Sequence, residues 1–136
     1  MTVFVDTNVL LHAALARGAE PAKRDRARAL LQDEDCVLSL QVLQEFFNQA
    51  THPRRRHPLS IEETRAWLTQ FRQFPVVEPT MGLFDAGTRV FAGGGFSFWD
   101  SMIVAAAIAQ GCELLYSEDM QHGRIVAGVR ILDPFR

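Results

Sequence analysis

Short apolar runs alternate along this chain with longer stretches in which apolar residues recur every three or four positions. The short runs predict strands at 2–5, 36–39, 75–78, 113–116 and 129–132. The longer stretches predict helices at 7–15, 21–31, 40–50, 61–73, 81–91 and 98–110. Such alternation is typical of an α/β fold with a mostly parallel central sheet. We therefore expect a three-layer αβα arrangement with four to five strands in the sheet.

Local signals mark the ends of several predicted elements. Gly18 is expected to break the first helix, and Pro21 has a favoured early position in the second. Ser60 and Glu63 have the spacing of a capping box, which predicts a helix start at that point. No repeat, low-complexity segment or linker divides the sequence, so a single domain covering residues 1–136 is predicted.

Composition narrows the class of protein. Apolar residues make up 48% of the 136 residues and charged residues 22%, which is ordinary for a soluble globular protein. The net charge of -2 excludes a generally basic nucleic-acid binder but leaves room for a local basic patch. Cys36 and Cys112 adjoin apolar runs and form no CxxC pair, so we interpret them as buried free thiols of a cytoplasmic protein. No apolar run reaches the roughly 18 residues of a membrane span, and we expect no signal peptide because the first predicted strand begins within a few residues of the first position.

Four acidic residues lie where carboxylates are uncommon. Asp6 and Asp119 follow apolar strands, Glu45 lies within an apolar helix, and Asp100 opens another helix. In an open α/β sheet, strand ends and helix starts meet at one edge, so we expect these four side chains to lie close together. Their mutual repulsion makes Mg²⁺ or Mn²⁺ a natural partner. The hypothesis that follows is a metal site suited to phosphodiester chemistry.

Each of these acids also has an ordinary structural explanation. Asp6 is well placed to cap the first helix, and Asp100 has the spacing to complete a capping box with Ser97. Asp119 suits a turn after a strand, and Glu45 suits the polar face of a helix. The occurrence of all four acids at such positions, rather than any one of them, favours a metal site.

Four segments in order resemble the acidic motifs of the PIN domain family, in particular its VapC-type ribonuclease toxins. They are 3–10 (VFVDTNVL), 39–46 (SLQVLQEF), 98–107 (FWDSMIVAAA) and 115–120 (LYSEDM). The closing segment 131–135 (ILDPF) also resembles the family. Each motif is weak alone, whereas the four together cover nearly the whole chain and are fairly specific.

The resemblance implies a PIN-like fold and a metal-dependent endoribonuclease that cleaves RNA with a metal-activated water. It further implies Mg²⁺ or Mn²⁺ as cofactor, an RNA substrate, a homodimer and an inhibitory antitoxin partner. Carried over by position, the metal-site and catalytic acids are Asp6, Glu45, Asp100 and Asp119, with Asp6 and Asp100 as the foremost direct ligands. The positions that support the site are Thr7, Asn8 and Ser117.

Some alternatives remain open and others are disfavoured. A haloacid-dehalogenase-type phosphatase needs an Asp where this chain has Asn8, and a receiver domain needs a late Lys, whereas the only Lys is Lys23. A PIN-like module that binds RNA or protein without cleaving it stays possible as the alternative function. Glu118, beside Asp119, is a competing acid. The loop with Arg54, Arg55 and Arg56 is a candidate RNA contact or a plain charged surface.

Overall fold

The computed structural model describes residues 1–15 and 20–136. Within these residues the strands are β1 (Thr2–Val5), β2 (Asp35–Ser39), β3 (Val76–Val77), β4 (Leu114–Tyr116), β5 (Ile125–Val126) and β6 (Val129–Leu132). The helices are α1 (Thr7–Ala14), α2 (Pro21–Asp33), α3 (Leu40–Ala50), α4 (Ile61–Phe71), α5 (Met81–Ala92) and α6 (Phe98–Ala109).

The six strands form one sheet with the order β3-β2-β1-β4-β6-β5. All neighbouring pairs are parallel except β5 and β6, which are antiparallel. β1 lies inside the sheet, where Val3 pairs with Cys36 on one side and with Leu114 on the other. The chain builds outward from β1 to β2 and β3, and later adds β4 and β6 on the opposite side. Such a reversal of strand order is a switch point, where a crevice opens at the carboxyl ends of the strands.

The predicted α/β class and mostly parallel sheet flanked by helices are confirmed, but the sheet has six strands where four to five were predicted. The missed strand is β5, which has two residues and exposes Ile125, so no buried apolar run marked it. Its hairpin turn contains Ala127 and Gly128, both at positive φ (48° and 86°). The predicted helix break at Gly18 falls on residues 16–19, which lie outside the described residues.

The core forms around β1 because that strand is covered on both faces. Val3, Phe4 and Val5 are completely buried, as expected for an inner strand of a parallel sheet. In α6 the whole stretch 101–107 is buried, so this helix lies deep within the fold. Cys36 and Cys112 are buried free thiols, as predicted. None of the helices in the described residues is both long and apolar enough to span a bilayer.

The strand ends bring two polar segments together. The Asp6 N–H donates to the Tyr116 carbonyl at 3.0 Å, and the Ser117 N–H donates to the Leu132 carbonyl at 3.0 Å. The residues that follow β1 and β4 therefore leave the sheet side by side, at the switch point.

Candidate functional site

Asp6 connects the end of β1 to the start of α1. Its carboxylate accepts a hydrogen bond from the Thr7 N–H at 2.7 Å, which makes it the N-cap of α1. The Ser117 hydroxyl donates to its other oxygen, also at 2.7 Å. The side chain is only 5% exposed. The capping explanation for Asp6 is thus correct, and the same carboxylate also lies buried in the crevice.

Asn8 and Ser117 join Asp6 to Asp119. The Asn8 side-chain amide lies 3.4 Å from Asp6 Oδ2 and 3.2 Å from Asp119 Oδ2. Ser117 Oγ accepts from the Asp119 N–H at 3.2 Å while it donates to Asp6. The loop after β4 is therefore fixed against the start of α1 by side chains more than a hundred residues apart.

Glu45 is brought into the crevice by α3, whose first residues follow β2. The Thr7 hydroxyl donates to Glu45 Oε2 at 2.7 Å, and the Gln41 amide donates to Glu45 Oε1 at 2.9 Å. Gln41 also donates to the Trp99 carbonyl at 3.0 Å. Both oxygens of Glu45 are held in place, and α3 is tied to the first turn of α6.

Asp100 lies in that first turn of α6. Ser97 caps the helix by accepting from the Asp100 N–H at 3.1 Å. Within the described residues, the return bond from the Ser97 N–H to the Asp100 carboxylate is not formed, whereas Ser60 and Glu63 form both bonds at the start of α4. Ser97 therefore caps the helix without a full capping box, and a hydrogen bond between its side chain and the Asp100 carboxylate acts against the rise that burial causes in the pKa of Asp100.

The acids influence one another electrostatically. Burial raises the pKa of Asp6 from 3.8 to about 7, and the charges of Glu45 and Asp100 add to the rise, against the hydrogen bonds from Ser117 and Thr7. Burial also raises the pKa of Asp100, again with help from Glu45 and with a contribution from Asp119. The four acids therefore form one cluster of like charges at the edge of the sheet.

Glu118 belongs to a different environment, although it adjoins Asp119. Its carboxylate lies 2.9 Å from His12 Nε2 and 2.5 Å from Lys23 Nζ. Burial alone would raise the pKa of Glu118, but the hydrogen bonds from Lys23 and His12 outweigh burial and lower it. Glu118 is thus neutralised by the protein itself, and Asp119 is the neighbour that joins the cluster.

A PIN domain model matches residues 3–127 of this sequence. The chain belongs to the PIN domain family. No curated protein sequence matches it.

Solved structures show the same fold. The chain is similar to VapC20 of Mycobacterium tuberculosis, a toxin described as cleaving the sarcin–ricin loop (21% identity, TM-score 0.67, 86% of this chain and 89% of that one). It is also similar to a toxin–antitoxin complex from Klebsiella pneumoniae (16%, 0.73, 97% of both chains) and to DNA-bound VapBC from Salmonella typhimurium (18%, 0.69, 98% of both). At these identities the likeness concerns the PIN fold.

The donors of this PIN domain suit a hard divalent cation, because all four are carboxylates. Across residues 1–15 and 20–136, no three His, Cys, Asp or Glu side chains are placed to hold a metal ion by themselves. Mg²⁺ usually takes one or two carboxylates and completes its shell with water and substrate phosphate, so an open arrangement fits it. In the same residues, no Lys, Arg or His forms an ion pair with the four acids. Within those residues, the buried charge is therefore not paired with a cationic side chain.

The predicted arginine contacts lie elsewhere. Arg54, Arg55 and Arg56 follow the carboxyl end of α3, whereas the acids gather around the starts of α1, α3 and α6. Arg55 Nε donates to the Gln49 carbonyl at 2.9 Å, which holds the loop against its own helix. Contact between this loop and RNA stays a prediction.

Two further residues of the PIN domain support the site without any sign in the sequence pattern. One is Gln41, described above. The other is Arg124, whose guanidinium donates to the Gly94 carbonyl at 3.0 Å and lies 4.2 Å from the centre of the Phe96 ring. Glycine is favoured at Gly95 because its φ is 90°, and a side chain there would also start 2.1 Å from the guanidinium and displace it. Arg124 thereby clamps the loop that leads into α6 to the segment that follows Asp119.

Proposed function

We propose that this PIN domain is a metal-dependent endoribonuclease that uses Mg²⁺ or Mn²⁺. Buried Asp6 carries the proposal: neutral donors hold it, two other acids oppose its charge, and its pKa is raised to about 7. An ionised carboxylate in such surroundings is costly unless a cation binds it. The crevice at a switch point is also the expected place for a ligand in an α/β sheet.

The residues of the cluster have distinct tasks under this proposal. Asp6, Glu45, Asp100 and Asp119 would form the metal site, with Asp6 and Asp100 as the direct ligands. When bound, the cation supplies Lewis-acid chemistry that polarises a phosphodiester. Ser117 orients Asp6 through its 2.7 Å hydrogen bond.

The supporting side chains keep the cluster in one arrangement. Thr7 and Gln41 fix the two oxygens of Glu45, and Asn8 holds the Asp6 and Asp119 oxygens at a set spacing. Such outer hydrogen bonds orient carboxylate ligands.

We further infer a toxin of a toxin–antitoxin pair. The inference rests on the likeness of the fold to structures described as a toxin–antitoxin complex and as VapBC. The partners that follow are an RNA substrate, a cognate antitoxin and a second copy of the chain in a homodimer. The proposed location is the cytoplasm, where RNA is accessible.

A non-catalytic module that binds RNA or a protein is the second candidate function. It would keep the fold and the acids but would not cleave RNA with any divalent cation. The two functions therefore differ in one observable, which is metal-dependent strand scission.

Purified protein is expected to cleave RNA with Mg²⁺ or Mn²⁺ and to stop in excess EDTA. Asp6→Asn removes the charge but leaves a residue that caps helices well. Because changes to residues outside the metal shell already cost about 10–100-fold, loss of a direct ligand should lower the cleavage rate by more than about 100-fold. The matched control is Glu118→Gln, which removes a carboxylate next to the cluster and should retain cleavage.

Cleavage that persists in EDTA, or equal losses in Asp6→Asn and Glu118→Gln, would contradict the metal-dependent mechanism. Absence of cleavage with every divalent cation tried, while RNA still binds, would favour the non-catalytic module. Expression in bacteria tests the toxin role separately: the wild-type protein should arrest growth, and Asp6→Asn accumulated to the same level should not.

A further inference from the structure

An exposed aromatic side chain adjoins the acid cluster. Trp99 is 63% exposed, although it is the residue before Asp100 in the first turn of α6. Its ring contacts Phe98 edge to face, with 5.1 Å between the ring centres. Phe98 in turn lies 6.2 Å from Phe84 of α5, also edge to face. The three rings form a continuous aromatic surface beside the proposed active site.

A cavity of about 320 Å³ lies along these rings. Its walls are mostly apolar and include Phe84, Phe98 and Trp99, while the amides of Gln41 and Gln44 lie at its border. Flat apolar walls with a few amide groups suit a planar, neutral ligand that has hydrogen-bonding edges. They do not suit a phosphate, which neighbouring acids repel.

Gln41 connects this recess to the acids. Its amide donates both to the Trp99 carbonyl at 3.0 Å and to Glu45 Oε1 at 2.9 Å. The backbone of Trp99 and the carboxylate of Glu45 are therefore held by one side chain. Gln41, which lines the recess, is therefore also in direct contact with one of the four acids.

We propose that this recess binds an unpaired nucleobase of the RNA, stacked on Trp99, next to the phosphate addressed by the acids. The proposal rests on the proposed ribonuclease function and names the substrate feature recognised beside the reacting bond. Bases exposed in single strands and loops stack on aromatic side chains and present edges that amides can bind. The substrate is then RNA with an unstacked base at the cleavage site, and a continuous duplex is excluded from this recess.

The test compares RNA with the same backbone lacking its bases. The probe is a fluorescein-labelled single-stranded RNA of randomised sequence, and its counterpart carries abasic sugar–phosphate units. Binding is measured by fluorescence anisotropy in EDTA, so that no cleavage is required. Trp99→Leu should weaken RNA binding by about 10-fold to 100-fold, the usual effect of removing a stacking ring. Trp99→Phe should restore most of the affinity, and neither variant should change binding of the abasic backbone.

The control variant is Phe91→Leu, which removes another half-exposed aromatic ring on α5 that does not line the recess. It should bind RNA as the wild type does. Light scattering of Trp99→Leu should show the same mass as the wild-type protein.

Several results would overturn the proposal. They are unchanged RNA binding by Trp99→Leu, an equal loss of binding to the abasic backbone, and a change of oligomeric mass that assigns the recess to contact between copies of the chain. An absence of RNA binding by the wild-type protein both in EDTA and with Mg²⁺, which offsets the repulsion between the acids and phosphate, would also overturn it. Base-dependent RNA binding without cleavage would support base binding in the recess and contradict the ribonuclease function. Cleavage that is unchanged by Trp99→Leu would support the ribonuclease function and contradict base binding in the recess.

Discussion

Asp6 and Glu118 are two carboxylates at the ends of neighbouring strands, yet their environments are opposite. Glu118 contacts Lys23 and His12, and the pKa of Glu118 is lowered. In the described part of the chain, Asp6 accepts hydrogen bonds from hydroxyl and amide donors, faces other acids, and has its pKa raised to about 7. Glu118 is thus a carboxylate that the protein neutralises. Asp6 is the one that we propose as a ligand for an external cation.

The largest expected effect is on the stability of the metal-free protein. The rise in the pKa of Asp6 from 3.8 to about 7 corresponds to up to about 4 kcal/mol of destabilisation when the group is ionised. Because the folded state binds this proton more tightly than the unfolded state, the wild-type free energy of unfolding should fall as pH rises from about 4 to about 7. Asp6→Asn should lose that slope and be more stable above pH 7. Urea denaturation in EDTA across this range measures both.

The control for this comparison is Asp33→Asn, which alters an exposed acid on α2 and should keep the wild-type slope. If the free energy of unfolding of the wild-type protein does not change between those pH values, the proposed difference in environment between Asp6 and Glu118 is wrong. Added Mg²⁺ should stabilise the wild type more than Asp6→Asn, since a ligand stabilises the state that binds it.

Substitution of Arg124 is expected to have an effect of intermediate size, on the cleavage rate. The Arg124 side chain contacts the loop before α6 and, within the described residues, forms no ion pair with the four acids. Its guanidinium holds the Gly94 carbonyl and the Phe96 ring, which fixes the loop before Asp100. Arg124→Gln should lower the cleavage rate at saturating Mn²⁺ by about 10-fold, because small displacements of positioning groups slow catalysis. Cleavage rates measured over a Mn²⁺ titration separate this effect from weaker ion binding. The comparison variant is Arg130→Gln, on the exposed face of β6, which should behave as the wild type.

The smallest expected effect is the change in the free energy of unfolding when Glu118 is replaced. Its contacts with Lys23 and His12 are partly exposed and screened by solvent, so Glu118→Gln should reduce the free energy of unfolding by about 1 kcal/mol or less. Because the pKa of Glu118 is lowered on folding, its contribution is present above the ordinary Glu pKa and is lost as pH falls. The pH slope should therefore be opposite to that of Asp6. A Glu20→Gln control, which alters a mostly exposed partner of Lys23, should change stability even less.

The architecture could be predicted from the sequence because burial of strands and helix faces places apolar residues in regular patterns along the chain. The apolar run of β1 and the long apolar face of α6 both lie where the pattern predicted. β5 was missed because two residues with an exposed Ile125 leave no period to detect. Helix ends were shifted by one or two residues, as at α4, which ends at Phe71 instead of residue 73, because the last turn carries little apolar signal.

Part of the candidate site could also be predicted from the sequence. Acids after buried strands stand out, so Asp6 and Asp119 could be named. The choice between Asp119 and Glu118 depends on Lys23 and His12, which are far away in sequence. Gln41 and Arg124 act through contacts with main-chain carbonyls, Trp99 O and Gly94 O, and such contacts leave no trace in residue pattern.

The strand order also fixes when the cluster can exist during synthesis. β1 and β2 are made early, whereas β4, which pairs with the other edge of β1, is made much later. Because a domain generally folds as a unit, the surroundings of Asp6 are complete only after most of the chain has been translated. Ser117 and Asp119 come only after β4, so a truncated nascent chain contains the first acid without its partners. The hydrogen bonds that join Asp6 to Ser117 and, through Asn8, to Asp119 can therefore form only after β4 has been made.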